Sequence, residues 1–307
     1  MNIKITKNIE EANCVTHSGT FHADEVFATI ILSKINKDLK IIRVNNVDWK
    51  NVNSNMYVYD IGDGELDHHQ LGGNGNRDNG VPYAACGLVW KKYGMDVLNS
   101  LGVENNIEEI WKTFDKDFIQ YIDANDNGKI PAIDTPYKIV SLASIISNFN
   151  PRWDEDIDGD AKFIEAVIFS EKIFDNALNS TLSKVKAKIY VENAINDSKD
   201  GIMILEKYMP WHEIVLNSNN KKAKDINFVI FPSNRGGYNI YTVAKELGSF
   251  ESRKYFPKTW AGLKDEKLQE VTGIKTARFC HNACFICATE TKEDAIKLAY
   301  LANNSIL

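Results

Sequence analysis

No stretch of the sequence approaches the roughly 18–20 apolar residues that cross a bilayer, so no membrane-spanning helix and no membrane partner are expected. The opening Met-Asn-Ile-Lys-Ile-Thr-Lys-Asn-Ile-Glu-Glu lacks the apolar core of a secretory signal. Its lysines are too sparse, and Glu10 and Glu11 come too early, for a transit peptide. Cysteine is scarce: five residues, an odd number at irregular spacing, which argues against a disulfide scaffold and for reduced thiols. The expected setting is intracellular: the cytoplasm, with nucleus or mitochondrion as alternatives. Excess positive charge is also missing. A net charge of −6 excludes a surface coated with nucleic acid, though not a local basic channel. The 307 residues allow two domains with ordinary cores.

Histidine is also scarce, at six residues, and four of the six lie in two short loops. The first loop is Thr16-His17-Ser18-Gly19-Thr20-Phe21-His22-Ala23-Asp24-Glu25. It follows a strand ending near Val15 and precedes an apolar helix of about 12 residues. The second follows Met56-Tyr57-Val58-Tyr59-Asp60, an apolar run that reads as a buried strand delivering a carboxylate at its tip. Gly62 and Gly64 permit a tight loop that returns Asp67, His68 and His69 beside Asp60. Adjacent imidazoles among carboxylates indicate a metal or acid–base site more often than a core feature. With Lys40-Ile41-Ile42-Arg43-Val44 as a further strand, the order predicts an α/β fold with a doubly wound, mainly parallel sheet. Ligands bind beyond the carboxyl ends of such strands.

Gly72 to Gly80 reads as a flexible loop, a lid or a disordered segment. Residues 82–94 read as a helix capped by Gly94, and Ile107 to Ile122 as an amphipathic helix ending in an acidic tip, Asp123 to Gly128. That tip matches half of a calcium-binding EF-hand loop, and Asp154 to Glu165 matches the whole pattern, but Pro131, Pro136 and Pro151 interrupt the flanking helices. Residues 160–197 read as one long helix or two. Its end sets the expected domain boundary: a metal-binding catalytic domain, 1–197, and a smaller α/β substrate-binding domain, 198–307.

Within the second domain, residues 221–278 hold 12 Lys and Arg against 6 Asp and Glu, so the rest of the chain carries −12. Tyr238, Tyr241, Tyr255, Phe256 and Trp260 are interleaved with that charge, as suits a stackable phosphate-bearing ligand such as single-stranded nucleic acid. Arg235-Gly236-Gly237 offers a guanidinium fork and approachable backbone N–H groups to an anion. Residues 201–205, 228–231 and 283–288 read as strands, and 242–248 and 292–302 as helices. Cys280, Cys284 and Cys287 have a spacing seen in iron–sulfur sites, but Cys284 and Cys287 would fall on opposite faces of a strand. His281 reads as a ligand contact beside Arg235.

Taken together, these segments resemble the melanocyte-proliferating-gene exonuclease family, a branch of the DHH phosphoesterases. The resemblance rests on the 16–25 motif, Asp60-Ile61-Gly62, Asp67-His68-His69-Gln70, Pro82-Tyr83 through Trp90, Ile122 to Gly128, and Arg235-Gly236-Gly237-Tyr238. It spans nearly the whole chain; the stretch 283–288 departs from it in being rich in cysteine rather than glycine. It implies a 3′–5′ RNA exonuclease that depends on divalent metal, typically manganese, with RNA processing as its role. Phosphodiester hydrolysis by two metals about 3.5–4 Å apart fits mixed carboxylate and imidazole ligands. On that reading two manganese ions, or magnesium, are held as follows. Asp60 bridges; His17 and His22 hold one ion; Asp24, His68 and Asp126 (or Asp123) hold the other. Asp67 orients a histidine, and His69, Arg235, Gly236, Gly237 and His281 bind substrate. A homodimer is allowed for. Two other readings are a phosphoesterase acting on pyrophosphate or short or cyclic oligonucleotides, and a non-enzymatic calcium or nucleic-acid binding module.

Overall fold

Short runs rich in β-branched residues build a four-stranded, wholly parallel sheet in the first part of the chain. Its strands are β1 (Asn2–Ile5), β2 (Cys14–His17), β3 (Asp38–Val44) and β4 (Tyr57–Val58), in the order β1-β3-β2-β4. The computed structural model describes residues 2–305, and the chain divides into two compact units between Leu182 and Ser183. From β2 the chain runs through α1 (Ala23–Ile35) to β3 on one side, then returns to β4 on the other. Such a reversal of strand order leaves a crevice at the carboxyl ends. Val15 lies opposite Val58, and the Tyr59 N–H donates to the Val15 carbonyl at 3.1 Å. His17 and Asp60, each two residues further on, therefore emerge side by side.

From Ala23 through Lys34, α1 is buried on all sides, which an apolar helix without a polar face requires. Its one buried lysine, Lys34, is paired with Glu171 at 2.9 Å and Asp175 at 2.6 Å. The next helix, α2 (Ala85–Ser100), does not stop at Gly94 as expected. Gly94 is a close-approach residue: an added Cβ would lie 2.7 Å from both Trp90 and Trp111. The two indoles donate reciprocally to each other's backbone carbonyls, at 3.2 and 3.1 Å.

The amphipathic stretch from Ile107 is α3 (Ile107–Phe114), a π-helical turn (Asp115–Ile119) and α4 (Gln120–Asp126). The acidic tip is thus helical, which removes the first calcium-loop reading. In the second, Glu155 and Glu165 are instead paired with Arg152 and Lys162. After α5 (Leu142–Ser147), α6 (Gly159–Asp197) is a single helix of 39 residues. The division between units falls inside α6, before the expected boundary at 197. Ala187, Val191 and Ile195 pack into the second unit's core with Met203, Trp211 and Phe231.

The second unit has a five-stranded sheet of β5 (Ile202–Ile204), β6 (Phe228–Pro232), β7 (Tyr238–Thr242), β8 (Ala277–Cys280) and β9 (Ile286–Thr289), ordered β5-β6-β7-β9-β8. Only β5 and β6 pair in parallel. Helices α7 (His212–Asn217), α8 (Lys221–Asp225), α9 (Asp265–Thr272) and α10 (Lys292–Asn304) complete it. The helix expected over 242–248 does not form: Thr242 ends β7 opposite Phe228, Ala244 bridges to Ser252, and the Lys245 N–H donates to the Glu251 carbonyl at 2.8 Å, so the chain turns back there instead. Residues 283–285 belong to a turn rather than a strand. Among the described residues, no helix is long and apolar enough to cross a membrane.

Gly87 in α2 provides a test of this packing. A Cβ there would lie 1.8 Å from the Oδ2 of Asp123. Alanine gains about 1 kcal/mol of helix propensity but displaces a buried carboxylate. Gly87→Ala is therefore expected to lower stability by about 2 kcal/mol net, a fall in Tm of roughly 5 °C. A Tm that is unchanged or raised by differential scanning fluorimetry would contradict this packing.

Candidate metal centre

Two loops at the carboxyl ends of β2 and β4 supply most of the centre, and both are fixed by buried or half-buried polar side chains. Arg43 on β3 donates to the carbonyls of His17 (3.1 Å) and Gly19 (2.9 Å) and pairs with Asp160 at 3.0 Å. The Asn150 side chain accepts from the Phe21 N–H and donates to the Phe21 carbonyl, at 2.9 and 2.8 Å. In the second loop, the Asn74 amide donates to the carbonyls of Glu65 (3.0 Å) and Asp67 (2.8 Å). Gly62, at φ +89°, also leaves no room for a Cβ against Val47 and Trp49.

Asp60 sits between the histidines. Its Oδ2 is 3.3 Å from His17 Nε2, and its Oδ1 is 3.5 Å from His68 Nδ1 and 3.6 Å from His69 Nδ1. It is 3% exposed, and neither its Oδ1 nor His68 Nδ1 has a hydrogen-bond partner. Its φ of +58° is a left-handed conformation, held here by the surrounding loop. His68 Nε2 lies 2.9 Å from Asp126 at the end of α4, and His68 Nδ1 lies 4.0 Å from Asp24. Asp67 accepts from the His69 ring at 2.7 Å and from the Asp63 N–H at 2.7 Å. His69 itself is exposed.

The first-loop residues divide by role. His22 caps α1, its N–H donating to both Glu25 oxygens at 3.0 Å, and its ring centroid lies 6.1 Å from that of His17. Glu25 is fully buried and 2.9 Å from His17 Nε2. It was not singled out from the sequence, although it ends the first motif; its position one helical turn after His22 was the available signal. Asp24 accepts the N–H groups of Ala85 (2.9 Å) and Cys86 (2.7 Å) at the start of α2. Donor atoms thus gather as His17–His22–Glu25, as Asp24–His68–Asp126, and as Asp60 with Asp67, His68 and His69. Asp123, the alternative to Asp126, also comes near Asp24, in a group with Cys86, but it is already partnered: it accepts from the Gly87 N–H and pairs with Arg77, both at 2.8 Å.

The electrostatics favour a cation. Burial, then the neighbouring charges of Asp60, Asp126 and Asp123, pushes Asp24 well above the usual carboxylate range. Burial and the Glu25 charge also raise Asp60, against the pull of His17 and His68. Burial opposes the charged form of His17, yet its hydrogen bonds to Asp60 and Glu25 raise it to about 11. Burial likewise opposes charge on Asp67, but the His69 ring and two backbone N–H groups hold it below its ordinary value. The unpartnered Asp60 Oδ1 and His68 Nδ1, beside carboxylates that repel one another, are the donor set a divalent ion satisfies. The flanking cavity, about 550 Å³, is walled by these side chains with Asn125 and Ser144.

The loop 72–80 is anchored rather than a free lid. Arg77 is buried, forks onto Asp115 at 2.7 Å twice, and lies over the Tyr83 ring at 4.3 Å. In the second unit, Gly236 and Gly237 form the β6–β7 turn at φ +78° and +73°, and Gly237 touches the Thr289 carbonyl too closely for any Cβ. Arg235 is exposed on that turn. His281 begins the β8–β9 turn at the other end of β9, so it does not lie beside Arg235. Phe256 and Trp260 are core residues, packed near Phe228, and are not free to stack on bases.

A parallel α/β sheet that gathers four histidines and a set of buried carboxylates at adjacent strand ends defines a protein able to hold divalent metal. Residues 13–302 match the MYG1 exonuclease family, described as an uncharacterised protein family. The MYG1 protein YER156C of Saccharomyces cerevisiae is 30% identical, over 98% of each chain. The human MYG1 exonuclease is 30% identical, covering 92% of this chain and 84% of its own. The MYG1 protein C694.04c of Schizosaccharomyces pombe is 28% identical, covering 92% of this chain and 95% of its own. No solved structure matches. The chain belongs to the MYG1 exonuclease family.

Asp123 gives a prediction with a definite sign. Burial raises its pKa to about 7 even with Arg77 beside it. Arg77→Met removes the one charge that offsets that burial, so the folded-state pKa rises further above its unfolded value of about 3.9. The variant's extra penalty is absent where Asp123 is protonated in both folded proteins and grows as pH climbs past about 7, the folded-state pKa with Arg77 in place. The variant is expected to lose about 3–5 kcal/mol near pH 8 and distinctly less at pH 6. Denaturant melts showing equal losses at the two pH values would contradict it.

Proposed function

We propose that the chain is a divalent-metal-dependent phosphodiesterase that removes nucleotides from the 3′ end of single-stranded RNA, its first unit built like a DHH phosphoesterase. The observation that carries the proposal is Asp60: a buried carboxylate whose two oxygens face His17 on one side and His68 on the other. Support for a nuclease comes from relatives in human, rat and mouse that are named MYG1 exonuclease.

In this reading the residues would hold two ions, manganese or magnesium: His17 and His22, with Glu25 adjacent, would ligate one, Asp24, His68 and Asp126 the other, and Asp60 would contribute to both. When bound, such a pair supplies a hydroxide nucleophile and neutralises charge developing on the phosphate. The chain's own contributions follow from the geometry. Asp67 takes the His69 Nδ1 proton as hydrogen-bond acceptor and so turns Nε2 outward, where it can meet a phosphate oxygen. Asp24, anchored on the α2 amides, keeps its carboxylate directed at His68. Arg235, Gly236, Gly237 and His281 contribute RNA contacts at separate points along a strand, rather than on one phosphate.

The test uses 5′-labelled single-stranded RNA with manganese, magnesium, calcium or EDTA. A manganese-dependent ladder shortening from the 3′ end, absent with EDTA, is expected. Asp60→Asn should cost about 10³-fold or more in rate while leaving the fold intact by circular dichroism. Full activity in a folded Asp60→Asn protein overturns the site. Cleavage of pyrophosphate or dinucleotides but not RNA keeps the site and replaces the substrate.

A further inference from the structure

The cysteines of the second unit are not used by the proposed hydrolysis, and their placement is specific. Cys280 on β8 and Cys287 on β9 are direct cross-strand partners in an antiparallel pair. The His281 N–H donates to Ile286 at 2.8 Å, while the Cys280 N–H and carbonyl bond away from β9, to Leu263 and Gly262. Cys280 and Cys287 therefore form a non-hydrogen-bonded pair. In such pairs the side chains share one face and the Cα atoms come within about 4.5 Å, inside the range that disulfides span. Both thiols are buried in one core cluster with Cys284.

Cys284 adds two observations. Its φ is +55°, and the other five described non-glycine residues with positive φ are all Asp or Asn, the types that tolerate it. A cysteine there is not explained by backbone preference. It also lines a cavity of about 910 Å³ with Tyr255, Pro257 and Lys258, so a small solute there meets the cysteine that shares the core cluster of the buried pair. The Cys287 hydrogen bond, against burial and with help from Cys284, holds the Cys280 thiol below its ordinary range. Burial pushes Cys287 up. An iron–sulfur or soft-metal site fares worse: among the described residues, no group of three donors within 4.8 Å of one another includes these thiols.

We propose that Cys280 and Cys287 are a reversible disulfide site, oxidised by a hydroperoxide that enters past Cys284. The Cys280 thiolate attacks a peroxide oxygen; the O–O bond breaks, leaving Cys280 sulfenic acid and an alcohol or water. The Cys287 sulfur then attacks the Cys280 sulfur; the S–O bond breaks, and hydroxide leaves as water with the Cys287 proton. Two thiols are oxidised and one hydroperoxide is reduced. An external dithiol reverses the bond by two exchange steps. The disulfide staples the base of the turn that carries His281.

The test treats the full chain with hydrogen peroxide, blocks remaining thiols with N-ethylmaleimide, and maps peptides after chymotrypsin, which cuts after Phe285. Two of the five free thiols should disappear and return with dithiothreitol, and the 280 and 287 peptides should be linked. The link should persist in Cys284→Ser. In Cys287→Ser, dimedone should label Cys280. Five free thiols after peroxide, or a link that survives Cys280→Ser, would overturn the proposal.

Discussion

The interaction on which the centre depends is the mutual repulsion of carboxylates that the fold brings into one buried space. Buried Asp24 and Asp60 and part-buried Asp126 converge at the floor of one cavity, and Asp60 keeps an oxygen with no hydrogen-bond donor. A chain does not bury such a group without a compensating charge. Burial opposes charge on His17 and His68, but the carboxylates beside them favour it, so the two rings partly compensate. A divalent cation would satisfy the same oxygens, and on that ground the geometry is read as a candidate metal centre.

Holding those groups together falls to residues outside the cluster. Arg43, Asn150 and Asn74 fix the two loops through backbone carbonyls and amides, so the backbone that carries the candidate ligands is held by part-buried hydrogen bonds. Arg77 and Asp123 do the same for α4 against α2, with Gly87 making room. The cost of assembling like charges is thereby spread over the unit. Substitutions well away from any metal are expected to disturb the site.

Much of this was legible in the sequence because the signals were local. Histidine concentrated in two loops, and a strand ending in Asp60, placed the site, and parallel register explains why: Val15 opposite Val58 forces His17 beside Asp60. What was missed was non-local. Gly94 looked like a helix terminus, yet it is a contact for Trp111, 17 residues further along the chain. Residues 242–248 followed a helical reading, yet Thr242 closes a strand against Phe228 and Ala244 bridges to Ser252. Phe256 and Trp260 looked like stacking platforms because their burial is invisible in composition. Glu25 was overlooked because a carboxylate at the third position of a helix also reads as an ordinary capping residue.

The central claim is that Asp60 stands between two divalent ions. Anomalous diffraction from crystals grown with manganese tests it most directly. The account predicts two peaks on either side of Asp60, one contacting His17 and the other His68 and Asp126. Density elsewhere, or none at Asp60 in crystals soaked to saturation, would contradict it.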